Sequence, residues 1–162
     1  MRIRRAGAAD LDTVARLGLG VIRFDGRLGC VSERDSSADA LRASLAGLLA
    51  EPRPWTWLAE RDGTAVGLVH AEPPAATGWI APLSGLSPVA YLTLGFVDPA
   101  ERRGGVGAAL TARMHAEADA AGVAVTLLHY ESANPLSVPF WSQQGYRPAW
   151  TYWESWPASA LR

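Results

Sequence analysis

The chain contains no lysine, and all 15 basic side chains among its 162 residues are arginine. That absence excludes catalysis through a lysine Schiff base. It also excludes a Walker A phosphate loop, which needs a Gly-Lys pair. Cysteine is nearly absent too. Cys30 stands alone, so no disulfide can form within the chain and no thiol pair can bind zinc. No base accompanies Cys30 in the sequence, and it reads as a small loop or core residue, not a nucleophile. His70, His115 and His129 are the only histidines and lie far apart, so no metal is expected. No apolar run approaches the ~18–20 residues of a membrane span. The opening "MRIRRAGAADLD" has basic residues but no apolar core of a secretory signal, and a cytoplasmic chain is expected. A net charge of −1 provides no bulk attraction to nucleic acid.

What is present is a chain rich enough in apolar residues, at 49%, to bury a core, and its length predicts a single domain over 1–162. "RIRRA" reads as an opening strand, and Asp10 as the cap of a helix carrying Leu11, Val14, Leu17, Val21 and Ile22. Residues 23–35 read as a polar loop. Ser37 reads as the cap of a second helix with Leu41, Leu45, Leu48 and Leu49 along one stripe, ended by Pro52 and Pro54. "WTWLAE" and "TAVGLVHAE" around Asp62-Gly63 predict a hairpin. A long Pro- and Gly-rich loop covers 73–88, and "VAYLTLGFV" at 89–97 is an apolar strand. A helix over 106–121, a strand at 123–131, a short helix in "NPLSVPFWSQQG" and a final strand or strand pair in "YRPAWTYWESW" complete a β-α-α-β-β-β-α-β-α-β order.

The informative stretch is "VDPAERRGGVGAAL" at 97–110. A helix begins there without Ser, Thr, Asp or Asn to satisfy its first N–H groups and without an acid in its first turn. Glycines let the backbone approach a ligand closely, and bare amides at the positive end of a helix suit an anion such as phosphate. Arg102 and Arg103 add charge beside it. Two other readings compete. One is a flexible glycine turn. The other is a dinucleotide loop, although Leu110 holds its third glycine position and "DPAERRG" separates the glycines from the strand.

This stretch resembles the acetyl-CoA-binding motif of the GCN5-related N-acetyltransferases, [Q/R]-x-x-G-x-[G/A], with Arg102, Gly105 and Gly107 at its fixed positions. Downstream, "SANPLSVPFWSQQGYRP" resembles the family's second segment, with Asn134, Phe140, Gly145 and Tyr146 aligned and Trp141 in place of the customary tyrosine. The resemblance covers about 89–150. It implies a mixed, mostly antiparallel α/β sheet flanked by helices, in which two parallel strands splay to admit the cofactor. It implies acetyl-CoA as acyl donor and transfer of the acetyl group to a small-molecule or peptide amine. On that basis the amides of Arg102, Arg103, Gly104, Gly105, Val106, Gly107 and Ala108 wrap the diphosphate. Phe96 and Val97 lie along the pantetheine, Asn134 sits near it, and Trp141 near the sulfur. The Gly95 N–H faces the thioester carbonyl, where it suits a developing oxyanion. Relatives are commonly homodimers.

The proton-transfer positions depart from the family pattern. The strand position where some members carry a glutamate base is Tyr91 here, and an indole N–H at Trp141 only donates hydrogen bonds. Tyr91, Glu131 and His129 are the candidate bases. Each has a plainer reading, as a core aromatic, a strand-end carboxylate and a core histidine. His70 reads equally as facing the acceptor or as a strand surface residue, and His115 as solvated. Trp55 and Trp57 share one strand face. Trp150, Trp153 and Trp156 crowd the C-terminus with Tyr152, as core and sheet-edge packing, as an acceptor wall or as a dimer interface. The loops 23–35 and 73–88 are expected to form the rest of the acceptor pocket, and their acids Asp25, Glu33, Asp35 and Glu72 read by default as solvated loop charges, with attraction of a cationic amine as the functional alternative. A non-catalytic acetyl-CoA-binding module and a nucleotide-binding domain are the competing functions.

Overall fold

The computed structural model describes residues 1–29 and 33–151. Cys30, Tyr152, Trp153 and Trp156 lie outside the described residues, as does the expected final strand from residue 152 onward. Among the described residues five strands form one sheet in sequence order: β1 (Arg2–Arg5), β2 (Thr56–Arg61), β3 (Thr64–Glu72), β4 (Val89–Val97) and β5 (Val125–Leu128). All neighbours pair antiparallel except β4 and β5, which are parallel. The mixed, mostly antiparallel sheet is therefore present, and a doubly wound dinucleotide fold is not. Residues 146–151 form no strand.

Helices cover both faces. On one side lie α1 (Leu11–Gly26) and α2 (Ser37–Leu49), whose Val14, Leu17, Leu45 and Leu49 pack with Leu58 and Leu68 of the sheet. On the other, α3 (Val106–Ala120) lays Leu110, Met114 and Ala118 against Trp57, Val69 and Leu92. The last helix, α4 (Ser137–Gln143), is short.

Several local expectations change. The first helix runs to Gly26 and takes in residues expected as loop. The reason is that Leu17, Val21 and Phe24 continue its apolar stripe at i, i+4 and i+7. Asp10 stands at the head of α1, but its carboxylate accepts from the Gly7 N–H (3.0 Å) and from both guanidinium N–H groups of Arg4 (2.8 and 2.7 Å), not from α1. Ser36, not Ser37, is the cap residue of α2, and the Ser37 hydroxyl accepts from the Arg34 N–H instead. The β2–β3 turn is as expected, with Asp62 (φ 50°) and Gly63 (φ 77°) both left-handed, the geometry of a type I′ turn. The 73–88 loop is anchored by Ile80, fully buried, and by Thr77, whose hydroxyl donates to the Val89 carbonyl (2.9 Å). Trp55 and Trp57 are core residues in edge contact, 6.3 Å between centroids.

A buried carboxylate ties β1 to α3. Glu117 meets Arg5 (2.6 Å), Arg53 (2.8 Å) and Arg113 (3.3 Å). Burial opposes its ionisation, but the three guanidinium groups outweigh that and hold its carboxyl below the ordinary range. Arg5 and Arg113 also stack on the Trp57 ring, 5.0 and 5.7 Å from its centroid.

His70, expected as a pocket or surface group, is neither. It is 4% exposed, and its Nδ1 lies 2.7 Å from the Thr56 hydroxyl. Burial drives its pKa from 6.5 down to about 4, against a bond to the Trp55 backbone that works the other way. Between those two values the unfolded chain binds a proton that the folded chain does not, so stability falls as pH drops. The loss approaches about 3 kcal/mol by pH 4. Urea unfolding of the wild type between pH 7 and pH 4 is expected to show it. His70→Gln is expected to flatten most of that slope, and a profile parallel to wild type would show that the proton is taken up elsewhere.

Candidate active site

The site begins where two strands part. β4 pairs with β5 from Val89–Val125 to Leu92–Leu128 and no further, although β4 continues to Val97 beside β3. On β3, Ala71 faces Leu92 while His70 faces Leu94, so Thr93 is an extra residue on β4. Such a bulge bends a strand and increases its twist, and it falls where the pairing with β5 ends. The next bond, Asp98 N–H to the Val66 carbonyl (2.9 Å), continues the β3 register. Antiparallel alternation then makes Phe96–Leu68 and Leu94–His70 the bonded pairs. The N–H groups of Gly95 and Val97 therefore point away from β3, into the gap. A cavity of about 700 Å³ occupies that gap.

The segment after β4 forms the second part. Arg103 (φ 66°) and Gly105 (φ 77°) are both left-handed. Glycine takes that conformation without steric cost, whereas arginine there carries about 1 kcal/mol of strain. The first intrahelical bond of α3 is from the Ala109 N–H to the Gly105 carbonyl (3.0 Å). The N–H groups of Val106, Gly107 and Ala108 precede that ladder, and no side chain caps them. A β-carbon on Gly107 would lie 3.0 Å from the Phe140 ring, so glycine lets α4 close onto α3. Glu101, the carboxylate nearest these amides in sequence, is paired with Arg61.

The Arg102 side chain is tied into the wall of the cavity. Its Nε donates to the Val97 carbonyl (3.2 Å), and its guanidinium stands over the Phe24 ring at 5.1 Å and the Phe96 ring at 6.0 Å. The charge is thus fixed on the cavity wall as a clasp between α1 and the end of β4. Phe96 is itself set into α1, where a β-carbon on Gly20 would come within 2.5 Å of its ring.

The cavity brings together most of the residues singled out in sequence: Gly95, Phe96, Val97, the Arg102–Ala108 segment apart from Gly104, Glu131, Asn134 and Trp141. Gly104 sits behind it, against the Glu101 carbonyl and Arg61. The Trp141 ring lies over Gly95, 3.6 Å from where a β-carbon would be, in edge contact with Phe140 and Tyr146 at 4.7 and 5.3 Å. Tyr91 is buried outside the lining, with its hydroxyl 2.6 Å from His129 Nδ1. His129 is exposed at the cavity wall, not a core residue, and its Nε2 accepts from the Trp150 indole (3.2 Å). His115, expected in solvent, is half-buried and bonded to the Tyr146 hydroxyl (2.9 Å), whose pKa burial pushes well up. Of the loop acids, Glu33 pairs with Arg23 (3.0 Å) and Glu72 accepts from the Trp79 indole (2.8 Å), while Asp25 lines the cavity from the last turn of α1. Val21 and Phe24 line it too, and the heptad-like continuation from Leu17 was the signal for them. The whole is a cradle of bare amides opening onto a gap with two further amides aimed into it.

Comparison with known proteins places this geometry. Residues 27–146 match the Acetyltransferase (GNAT) family. No curated protein sequence matches the chain. Among solved structures, a GCN5-related N-acetyltransferase from Ralstonia eutropha JMP134 is similar with a TM-score of 0.73 at 24% identity, over 95% of this chain and 97% of that one. The aminoglycoside N-acetyltransferase AAC(6')-Iy in complex with CoA gives 0.74 at 19% identity, over 95% and 93%. The aminoglycoside antibiotic 6'-N-acetyltransferase AAC(6')-IG from Acinetobacter haemolyticus gives 0.72 at 21%, over 96% and 98%. At these identities the likeness is one of fold.

The left-handed Gly105 supplies a direct check of the cradle. Gly105→Val puts a β-branched residue at φ 77° and is expected to cost about 1–2 kcal/mol. Gly105→Asn is expected to cost less than half of that, because asparagine tolerates the conformation. Urea midpoints of the two variants measure the difference, and equal losses would show that the conformation is not what glycine supplies there.

Proposed function

The chain belongs to the Acetyltransferase (GNAT) family, and from that membership we propose that it transfers an acetyl group from acetyl-CoA directly to an amine. The observation that carries this reading is the continuity of the bare α3 terminus with the gap between β4 and β5, where Gly95 and Val97 present their amides. The residues fit a diphosphate-bearing thioester. Three amides lead α3 without a cap, Gly104, Gly105 and Gly107 carry no side chain, and Arg102 and Arg103 flank the approach. Acetyl-CoA supplies the acetyl group as a thioester with a thiolate leaving group.

The chain's own residues then have distinct tasks. The amides from Arg102 to Ala108 hold the diphosphate, with Arg103 and the helix terminus supplying the positive potential. The Val97 amide binds the pantetheine arm, along Phe96 and beside Asn134. The Gly95 amide is the donor available to charge growing on the acyl oxygen. An alkyl amine of pKa ~10 arrives protonated at neutral pH and must surrender a proton before it can attack. No acid is needed at the sulfur, because a thiol of pKa ~8.5 leaves as the thiolate. Trp141 packs against Gly95 and shapes the wall without moving a proton, since an indole N–H only donates. Small-molecule amines are the acceptor class favoured by the two aminoglycoside acetyltransferases of similar fold.

Incubation with acetyl-CoA and a panel of kanamycin, spermidine, a free amino acid and a short peptide is expected to release thiol above background with at least one acceptor. Tight calorimetric binding of acetyl-CoA with no thiol release would instead establish a non-catalytic binding module. In the active enzyme, Trp141→Phe is expected to keep kcat within about tenfold, because a proton donor would be worth about 10²–10⁴. A larger loss with unchanged acetyl-CoA affinity would return Trp141 to a chemical role.

A further inference from the structure

We propose that Asp25 is the carboxylate that takes the acceptor's proton and that Asn134 is its positioning residue, an assignment that rests on the transferase reading above. The argument is one of elimination among groups at the cavity. Its carboxylates among the described residues are Asp25, Glu101 and Glu131. Glu101 is held by Arg61 behind the glycine segment. Glu131 is turned into its own loop, where Oε1 accepts from the Ala133 N–H (3.2 Å) and the Ser132 hydroxyl (3.3 Å).

His129 has no lone pair to offer. The Trp150 indole can only donate, so Nε2 is the accepting nitrogen, and the proton of the neutral ring sits on Nδ1, facing the Tyr91 hydroxyl. Taking up a proton would break the Trp150 bond, and partial desolvation of the ring at the cavity wall lowers its pKa. Tyr91 itself does not reach the cavity.

Asp25 differs on each count. It projects from the last turn of α1 into the cavity, and its neighbour Phe24 is pinned under the Arg102 guanidinium. Its Oδ1 receives the Asn134 side-chain N–H at 3.5 Å. The Asn134 amide is oriented in turn by the Leu136 N–H, which donates to its Oδ1 (3.0 Å). Burial raises the Asp25 pKa, the Asn134 bond lowers it, and the Glu131 charge raises it further. The other charges at the cavity are Arg102 and Arg103 from the segment after β4, and Arg23 on α1 is paired with Glu33.

The balance is as follows. A protonated amine gives one proton to Asp25. Its lone pair forms the C–N bond as the C–S bond breaks, and the electron pair of that bond stays on sulfur. The second N–H proton passes to the thiolate, and Asp25 returns its own to solvent.

The test uses acetyl-CoA with whichever of kanamycin or spermidine the wild type acetylates. Asp25→Asn is expected to lower kcat about 100-fold or more and to abolish the acid limb of the kcat–pH profile, while calorimetry gives unchanged acetyl-CoA affinity. Asn134→Ala is expected to retain an acid limb but move it to higher pH, because the bond that lowers the Asp25 pKa is gone. Asp25→Asn keeping kcat within threefold, or the limb disappearing in Glu131→Gln instead, overturns the assignment. A wild type that neither binds acetyl-CoA nor turns over defeats the transferase reading itself, which is a separate result.

Discussion

One extra residue governs the site. With Thr93 inserted against β3, β4 bends after Leu92 and can no longer run alongside β5. Parallel pairing would otherwise occupy the amides of Gly95 and Val97, and a continuous sheet would leave no cavity. The parting turns two ladder donors toward the cavity without exposing an unpaired edge on the β3 side, where the register persists to Asp98. It also frees His129, Tyr130 and Glu131 from strand geometry, so that they line a wall instead of a pleat.

That opening requires the neighbouring segment to hold an uncomfortable shape. Arg103 sits in a left-handed conformation with glycines on its C-terminal side, and the strain persists because flanking contacts over-determine it. Arg61 grips Glu101 from β2, Arg102 grips the last carbonyl of β4, and Phe140 closes against Gly107. The cradle is therefore assembled from four elements, although its amides come from one.

The architecture was legible in sequence where one period dominated. The strands at 64–72 and 89–97, the Asp62-Gly63 turn and the glycine segment before α3 all followed from local pattern. So did the family, because its motif lies on contiguous residues. What escaped was set by tertiary contact. The end of α1 looked polar from Arg23 onward, yet Phe24 and Asp25 remain helical, with Phe24 packed beneath the Arg102 guanidinium and Val21 on the cavity wall. His70 carried no mark of burial, since its partner Thr56 lies on the adjacent strand. The ring roles of His129 depended on Trp150, which is 21 residues away. Side chains that act through distant partners cannot be read from spacing alone.

The cations on the cavity wall are guanidinium groups. A primary amine on a flexible stem beside a bound thioester would be a competing nucleophile, and its own acylation would erase its charge. Guanidinium stays protonated at any physiological pH and has no nitrogen lone pair to spend. Arg102 and Arg103 therefore keep their charge beside the α3 terminus at any physiological pH and offer no amine that an activated acyl group could modify.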